Sequence, residues 1–375
     1  MKPYRIRNCI REIRSQSYAK DPAYKKNRDE AWLDCASGIN PFGVPEKVVA
    51  LMKSIDELDV HHYPASYDYL RKSLIRHWSG YGPIDETCLF FTGGAMEGLV
   101  NVNRLFTDPA NRVIGGTPQF PDYANDVALS GGTYLGVPMN GAGEFVFDAD
   151  RILGCLHEQD ALIYIDNPNN PTGQIISLDE IRYVAKTAER NGTCVLVDEA
   201  YGEFMDQDCS AISLLGELNN LMVVRSFSKG FGMAGLRAGY VVMSAKLAPY
   251  YEKIDIPYRI NSLAAALIPA ALEDRWFLQH SRKETRRIKE MIMNACQRIT
   301  VISSHPDTPI LLMAHPNPRE NFQSLWAEGG IGVVAGHAFH SVPSNYIRLR
   351  IPSHPEPVLR IIAQIEQNES DKAVR

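Results

Sequence analysis

A chain of 375 residues, 45% of them hydrophobic and 22% charged, has a globular composition and is too long for one small core. Two domains sharing an interface are expected. The net charge of −5 provides no polyanion-binding surface, which argues against nucleic acid and anionic membranes as partners. Seven scattered cysteines with no C-x-x-C pair read as reduced thiols, and no apolar run reaches the length of a membrane span.

The N-terminal stretch MKPYRIRNCIREIRSQSYAK is basic but lacks the apolar core of a secretory signal. It reads as a surface arm or lid, with an organelle transit peptide as the alternative, and a cytoplasmic location is expected. Residues 1–44 are assigned to this arm and to part of a smaller domain. Short apolar runs ending in polar or glycine-rich junctions come next: CLFFTGG (88–94), RVIGGTP (112–118), ALIYIDNP (161–168), TCVLVDEA (193–200), LMVVRSFSK (221–229) and GYVVMS (239–244). This is the pattern of parallel strands buried on both faces. Helical stretches lie between them, one opened by the capping box Ser177-Leu178-Asp179-Glu180 ahead of IRYVAKTAER. The alternation predicts an α/β domain over 45–250 with a doubly wound, mostly parallel sheet. Over 251–375 the longer helical stretches SLAAALIPAAL and RKETRRIKEMIMNACQRI, followed by short strands, predict a smaller α+β domain. The final QNESDKAVR is expected to fray.

Ligands of open parallel sheets sit beyond the carboxyl ends of the strands. Here those ends carry Thr92-Gly93-Gly94, Pro118-Gln119-Phe120, Asn167 to Gly173, Asp198 to Tyr201 and Ser226 to Lys229, so one pocket can gather groups from five strands. Residues 230–235 spell G-x-G-x-x-G, the string of a dinucleotide fingerprint. That fingerprint belongs to the first strand–helix unit of its domain, whereas this string follows at least four strands. Ser226-Phe227-Ser228-Lys229 precedes it and Arg237 follows it, so a nicotinamide site is not expected.

The run from Ser226 to Tyr240, with Asn167-Pro-Asn-Asn170-Pro-Thr-Gly173 and Val197-Asp198-Glu-Ala-Tyr201, resembles the signature of fold-type I, class I/II aminotransferases in both order and spacing. Leu33 to Pro45 and Tyr63 to Arg71 are similar to histidinol-phosphate aminotransferases and threonine-phosphate decarboxylases. The resemblance implies pyridoxal 5′-phosphate (PLP), held as a Schiff base by Lys229, whose amine also moves the substrate Cα proton. A carboxylate must keep the pyridine nitrogen protonated, and Asp198 at a buried strand end fits. By resemblance, Asn170 and Tyr201 donate to the ring's phenolic oxygen. The phosphate calls for main-chain N–H groups at a helix N-terminus, hydroxyls and a guanidinium. The Gly94-Ala95-Met96 turn, Ser226, Ser228 and Arg237 take those places, with Ala95 and Met96 standing where a polar residue is often found. Phe120 takes the place of the aromatic ring that stacks on the cofactor. Tyr63 matches a tyrosine that reaches the phosphate of the neighbouring subunit, which implies a homodimer with shared active sites.

On the substrate side, Arg348 aligns with the family's carboxylate arginine, with Arg350 as the alternative, and Asn40 and His337 are further candidates. Relatives that act on phosphorylated substrates carry an arginine in the segment before it. Residues 330–340 contain none, so a non-phosphorylated amino acid is expected. His337-x-x-His340 lacks a third ligand, and no metal is expected. Transamination is the base reading. Elimination or cyclisation of a hydroxylated amino acid, as in capreomycidine-synthase-like enzymes, and decarboxylation use the same scaffold and stay open.

Overall fold

A computed structural model describes residues 4–13, 17, 32–54, 61–64, 66–139, 141 and 143–374. After β1 (Leu33–Asp34), seven strands build a large sheet: β2 (Leu89–Thr92), β3 (Arg112–Thr117), β4 (Thr133–Pro138), β5 (Asp160–Asp166), β6 (Cys194–Glu199), β7 (Leu221–Ser226) and β8 (Gly239–Met243). Their spatial order is β2-β8-β7-β6-β5-β3-β4. Only β8 runs antiparallel to its neighbours; the other pairs are parallel.

Strand side chains alternate between two cores, as a sheet covered on both faces requires. Val195, Val197, Val223 and Val242 enter one, while Leu196, Met222, Val224 and Val241 enter the other. All six apolar runs of the sequence are strands. The strand that the pattern missed, β4, is a half-exposed edge strand interrupted by Gly136 and Pro138. Such an edge has neither a continuous apolar run nor a clean alternation.

The capping box forms as the sequence predicts. Glu180 N donates to Ser177 Oγ at 3.2 Å and Ser177 N donates to Glu180 Oε2 at 3.2 Å. The helix it starts, Leu178–Glu189, buries Ile181, Val184, Ala185 and Ala188.

A second sheet contains β9 (Thr300–Val301), β10 (Ile310–Ala314), β12 (Val334–Ala335) and β13 (Tyr346–Arg350), in the antiparallel order β12-β13-β10-β9. Between them in sequence lies β11 (Ile331–Gly332), which pairs in parallel with β1. The helix Ser262–Leu272 falls beyond residue 250, yet it buries Ala264, Leu267, Ile268 and Ala271 in the core of the large sheet. An apolar helix of this kind needs cover on more than one side. The helix Glu356–Val374 runs through the residues expected to fray. Within it Ser370 Oγ donates to Glu366 O and Gln367 Nε2 donates to Asp371 Oδ1, each at 2.9 Å. Among the described residues no helix is long and apolar enough to cross a membrane.

Candidate active site

The strand order reverses at the β3–β5 boundary: the chain steps outward from β3 to β4, then returns through β5, β6 and β7. A crevice at such a reversal is where open α/β sheets place a ligand. A cavity of about 230 Å³ lies there, lined by Ala95, Met96, Phe120, Asp166, Asn170, Asp198, Tyr201, Ser226, Ser228, Lys229 and Arg237, among others. The strand-end groups thus come together from β2, β3, β5, β6 and β7.

Asp198 is the last residue but one of β6 and is buried. Tyr164 donates its hydroxyl to Asp198 Oδ2 at 3.0 Å, and Ala200 N donates to Oδ1 at 3.0 Å. The Tyr164 ring is itself fixed by stacking on Tyr123, with centroids 3.7 Å apart. Burial pushes the Asp198 carboxyl up to about 6, although the two donors and Lys229 pull the other way. Lys229 Nζ lies 5.7 Å from the centre of the Tyr201 ring. Behind both stands Gly38, where a Cβ would lie 2.5 Å from the Tyr201 hydroxyl and 2.7 Å from Lys229 Nζ.

At the end of β2, Gly94 adopts a φ of 102° and caps the helix Ala95–Phe106, so main-chain N–H groups open onto the cavity. Arg237 Nη1 donates to Ala234 O at 3.0 Å and Nη2 to Gly93 O at 3.4 Å. A side chain at position 94 would meet that guanidinium at 3.0 Å. Gly93 N donates to the Glu97 carboxylate, which is in turn paired with Arg259. Ser226 Oγ accepts from Ser228 N at 3.1 Å.

Arg348 is fully buried on β13 and donates to Asn170 Oδ1 at 3.2 Å and to Ala36 O. Arg350 donates to the carbonyls of Asp34 and Ile351 and so serves the junction with β1.

Arg348 does not itself line the cavity but stands behind Asn170, which does, and three further candidates lie elsewhere. Asn40 donates to Gly230 O at 2.7 Å and Ser281 Oγ at 3.1 Å and accepts from Phe42 N. Its amide is consumed as a strut, and it does not line the cavity. His337 sits exposed on the short turn Gly336–Ala338, outside the lining. Tyr63 is 76% exposed and stacked on Tyr258 at 4.5 Å, away from the cavity of its own chain. His340, by contrast, meets the end of β3, where the Thr117 hydroxyl donates to its carbonyl at 3.2 Å. The G-x-G-x-x-G string forms a turn and a short 3-10 segment, Ala234–Leu236, rather than a helix start. Its Gly232 has a φ of 67°, and a side chain there would run into the backbone of Gly43.

Sequence reasoning missed Asp166, Tyr164 and Gly38. Asp166 was visible as the last residue of an apolar run one strand before Asp198, but a lone aspartate there carries no signal of its own.

Residues 30–365 match the family model for aminotransferases of class I and II. The chain belongs to that family. Its members depend on PLP, so the protein is a PLP-dependent enzyme. The chain is similar to histidinol-phosphate aminotransferases of Halorubrum lacusprofundi (32% identical, covering 72% of this chain and 73% of that protein) and Bacillus subtilis strain 168 (28%, 97% of each). Its fold is that of the aspartate aminotransferase of Thermus thermophilus (TM-score 0.83, 19% identical, covering 97% and 100% of the two chains).

The cavity suits the family's cofactor. It offers a carboxylate for a protonated ring nitrogen, an amine, hydroxyls, and a guanidinium beside free-standing helix N–H groups for a phosphate.

Proposed function

We propose that the protein is an aminotransferase for a non-phosphorylated amino acid, with Lys229 as the group that moves the proton. The observation that carries this reading is the meeting of Lys229, Asp198, Tyr201 and Asn170 in one cavity, with the Arg348 guanidinium on Asn170. PLP, when bound, supplies the electron sink that makes the substrate Cα–H bond acidic.

Each protein group then has a task. Asp198 holds a positive ring nitrogen, and Tyr164 and Ala200 N keep its carboxylate aimed. Asn170 and Tyr201 address the phenolic oxygen. The turn at Gly94-Ala95-Met96, with Ser226, Ser228 and Arg237, cups the phosphate. Phe120 would supply the aromatic shelf for the ring. Arg348 binds the substrate carboxylate through its planar guanidinium, and its anchorage to Ala36 O and Asn170 fixes the angle at which the substrate Cα meets Lys229 Nζ. Lys229 Nζ would take the substrate Cα proton, hold it and hand it on. Gly38 leaves the space that this movement requires.

The substrate reading is supported by the absence of any arginine in residues 330–340. A dianionic substrate group would stand there without the charged hydrogen bonds it needs. Tyr63, exposed on its own subunit, supports a homodimer in which it completes the partner's phosphate cup.

A panel of unphosphorylated amino acids with a 2-oxo acid acceptor tests the proposal beside histidinol phosphate. Keto acid formed from a panel member, with histidinol phosphate a poor donor, is the expected result. Turnover of histidinol phosphate in preference to every panel member overturns the substrate reading. Carbon dioxide or water released without amino transfer overturns the reaction.

A further inference from the structure

Asp166 lines the cavity at the end of β5 and is nine-tenths or more buried. It is the Cα partner of Asp198 across the β5–β6 pair, so both carboxyls stand on the same side of the sheet. Its hydrogen bonds go elsewhere. Asp166 Oδ2 accepts from Phe120 N at 3.2 Å and from Asn170 N at 3.1 Å, and Oδ1 accepts from Asn169 Nδ2 at 2.7 Å.

Phe120 belongs to the loop after β3, whereas Asn169 and Asn170 belong to the loop after β5. These two loops flank the crevice where the strand order reverses. The same carboxylate therefore receives main-chain donors from both walls. Asn169 extends the tie, because its Nδ2 also donates to Pro118 O at 3.2 Å and its Oδ1 accepts from Thr172 N at 3.1 Å and Thr172 Oγ1 at 2.7 Å.

We propose that Asp166 is a positioning residue that locks the β3 and β5 loops in one frame, so that Phe120 and Asn170 meet the cofactor ring at a fixed angle. The inference rests on the roles given above to Phe120 and Asn170. In this role Asp166 acts through Phe120 and Asn170 rather than on the reacting atoms. Loss of its acceptors removes the carboxylate oxygen that the Phe120 and Asn170 main-chain N–H groups share, and each wall then relaxes separately. A modest misplacement of the ring lowers the rate far more than it lowers binding.

The experiment compares Asp166→Ala and Asp166→Asn with the wild type, all purified with PLP. Three quantities are read: visible circular dichroism per bound cofactor, kcat and KM for the best amino acid, and the melting temperature. Asp166→Ala is expected to hold PLP and stay yellow, to lose most of the visible dichroism, and to lose about tenfold or more in kcat with little change in KM. Asp166→Asn keeps one oxygen for the two main-chain donors and is expected to retain most of both signals. If the alanine variant does not fold, Asp166→Leu, similar in size and lacking acceptors, takes its place. Wild-type dichroism and kcat in the acceptor-free variant, whatever its melting temperature, overturn the proposal. A wild-type protein that stays colourless with PLP instead overturns the cofactor roles on which it rests.

Discussion

Gly38 shows how narrowly the site is drawn at single residues. An added methyl group would stand 2.5 Å from the Tyr201 hydroxyl and 2.7 Å from Lys229 Nζ, closer than van der Waals contact permits. Gly38→Ala is therefore expected to lower kcat by ~100-fold or more with the fold retained, because the amine must move aside. Steady-state kinetics with a far-ultraviolet dichroism spectrum checks this, and a fully active alanine variant contradicts it.

Asp198 gives a second prediction. Burial raises its carboxyl from 3.8 to about 6, so the folded protein holds this proton more tightly than the unfolded chain. The stability gained in this way is fully present below about pH 4 and lost as the pH rises through about 6. Cofactor-free Asp198→Asn is accordingly expected to melt above the wild type near pH 8, with the difference shrinking toward pH 4, while binding PLP more weakly. Melting curves across that range decide it. A difference that grows toward low pH contradicts the assignment.

Between elements, the turn that carries Tyr201 depends on a buried ionic tie. Arg225 on β7 donates to Glu199 of β6 at 2.6 Å and to Glu203 at 2.9 Å, and its guanidinium lies 4.9 Å from the centre of the Trp78 ring. Glu203 lies in the short 3-10 segment immediately after Tyr201. Removing the cation strands two buried carboxylates, so Arg225→Met is expected to cost about 3–5 kcal/mol in urea unfolding. Unchanged stability contradicts this tie.

The ends of β5, β6 and β7 were legible in the sequence because each couples an apolar run to a polar junction. What was not legible depended on packing between elements. Asn40 reads as a substrate ligand only until Ser281, on a helix far along the chain, takes up its amide. Asp166 acquires meaning only when the β3 loop folds against it. The edge strand β4 lacks the buried face that makes a periodic signal.

For the whole molecule, β13 of the second sheet places Arg348 against Asn170 in the loop that follows β5 of the large sheet, so the second sheet reaches the cavity through one of its lining residues. The exposed Tyr63–Tyr258 stack lies outside it. If Tyr63 serves a second subunit, sedimentation gives twice the 41.9-kDa chain mass. Mixing inactive Tyr63→Ala and Lys229→Ala chains then restores part of the activity, because one hybrid site has both groups intact. A monomer, or no recovery on mixing, contradicts the shared site.

In the proposed reaction Lys229 carries the chemistry of PLP-dependent amino transfer, and one measurement addresses this role directly. Wild type and Lys229→Ala are purified with PLP, their visible spectra recorded, and keto acid formation from the amino-acid panel followed. The expected result is a yellow wild type that transfers amino groups and a Lys229→Ala protein that loses both the wild-type band and the activity. A colourless wild type that binds a nicotinamide dinucleotide, or full amino transfer without Lys229, would contradict it.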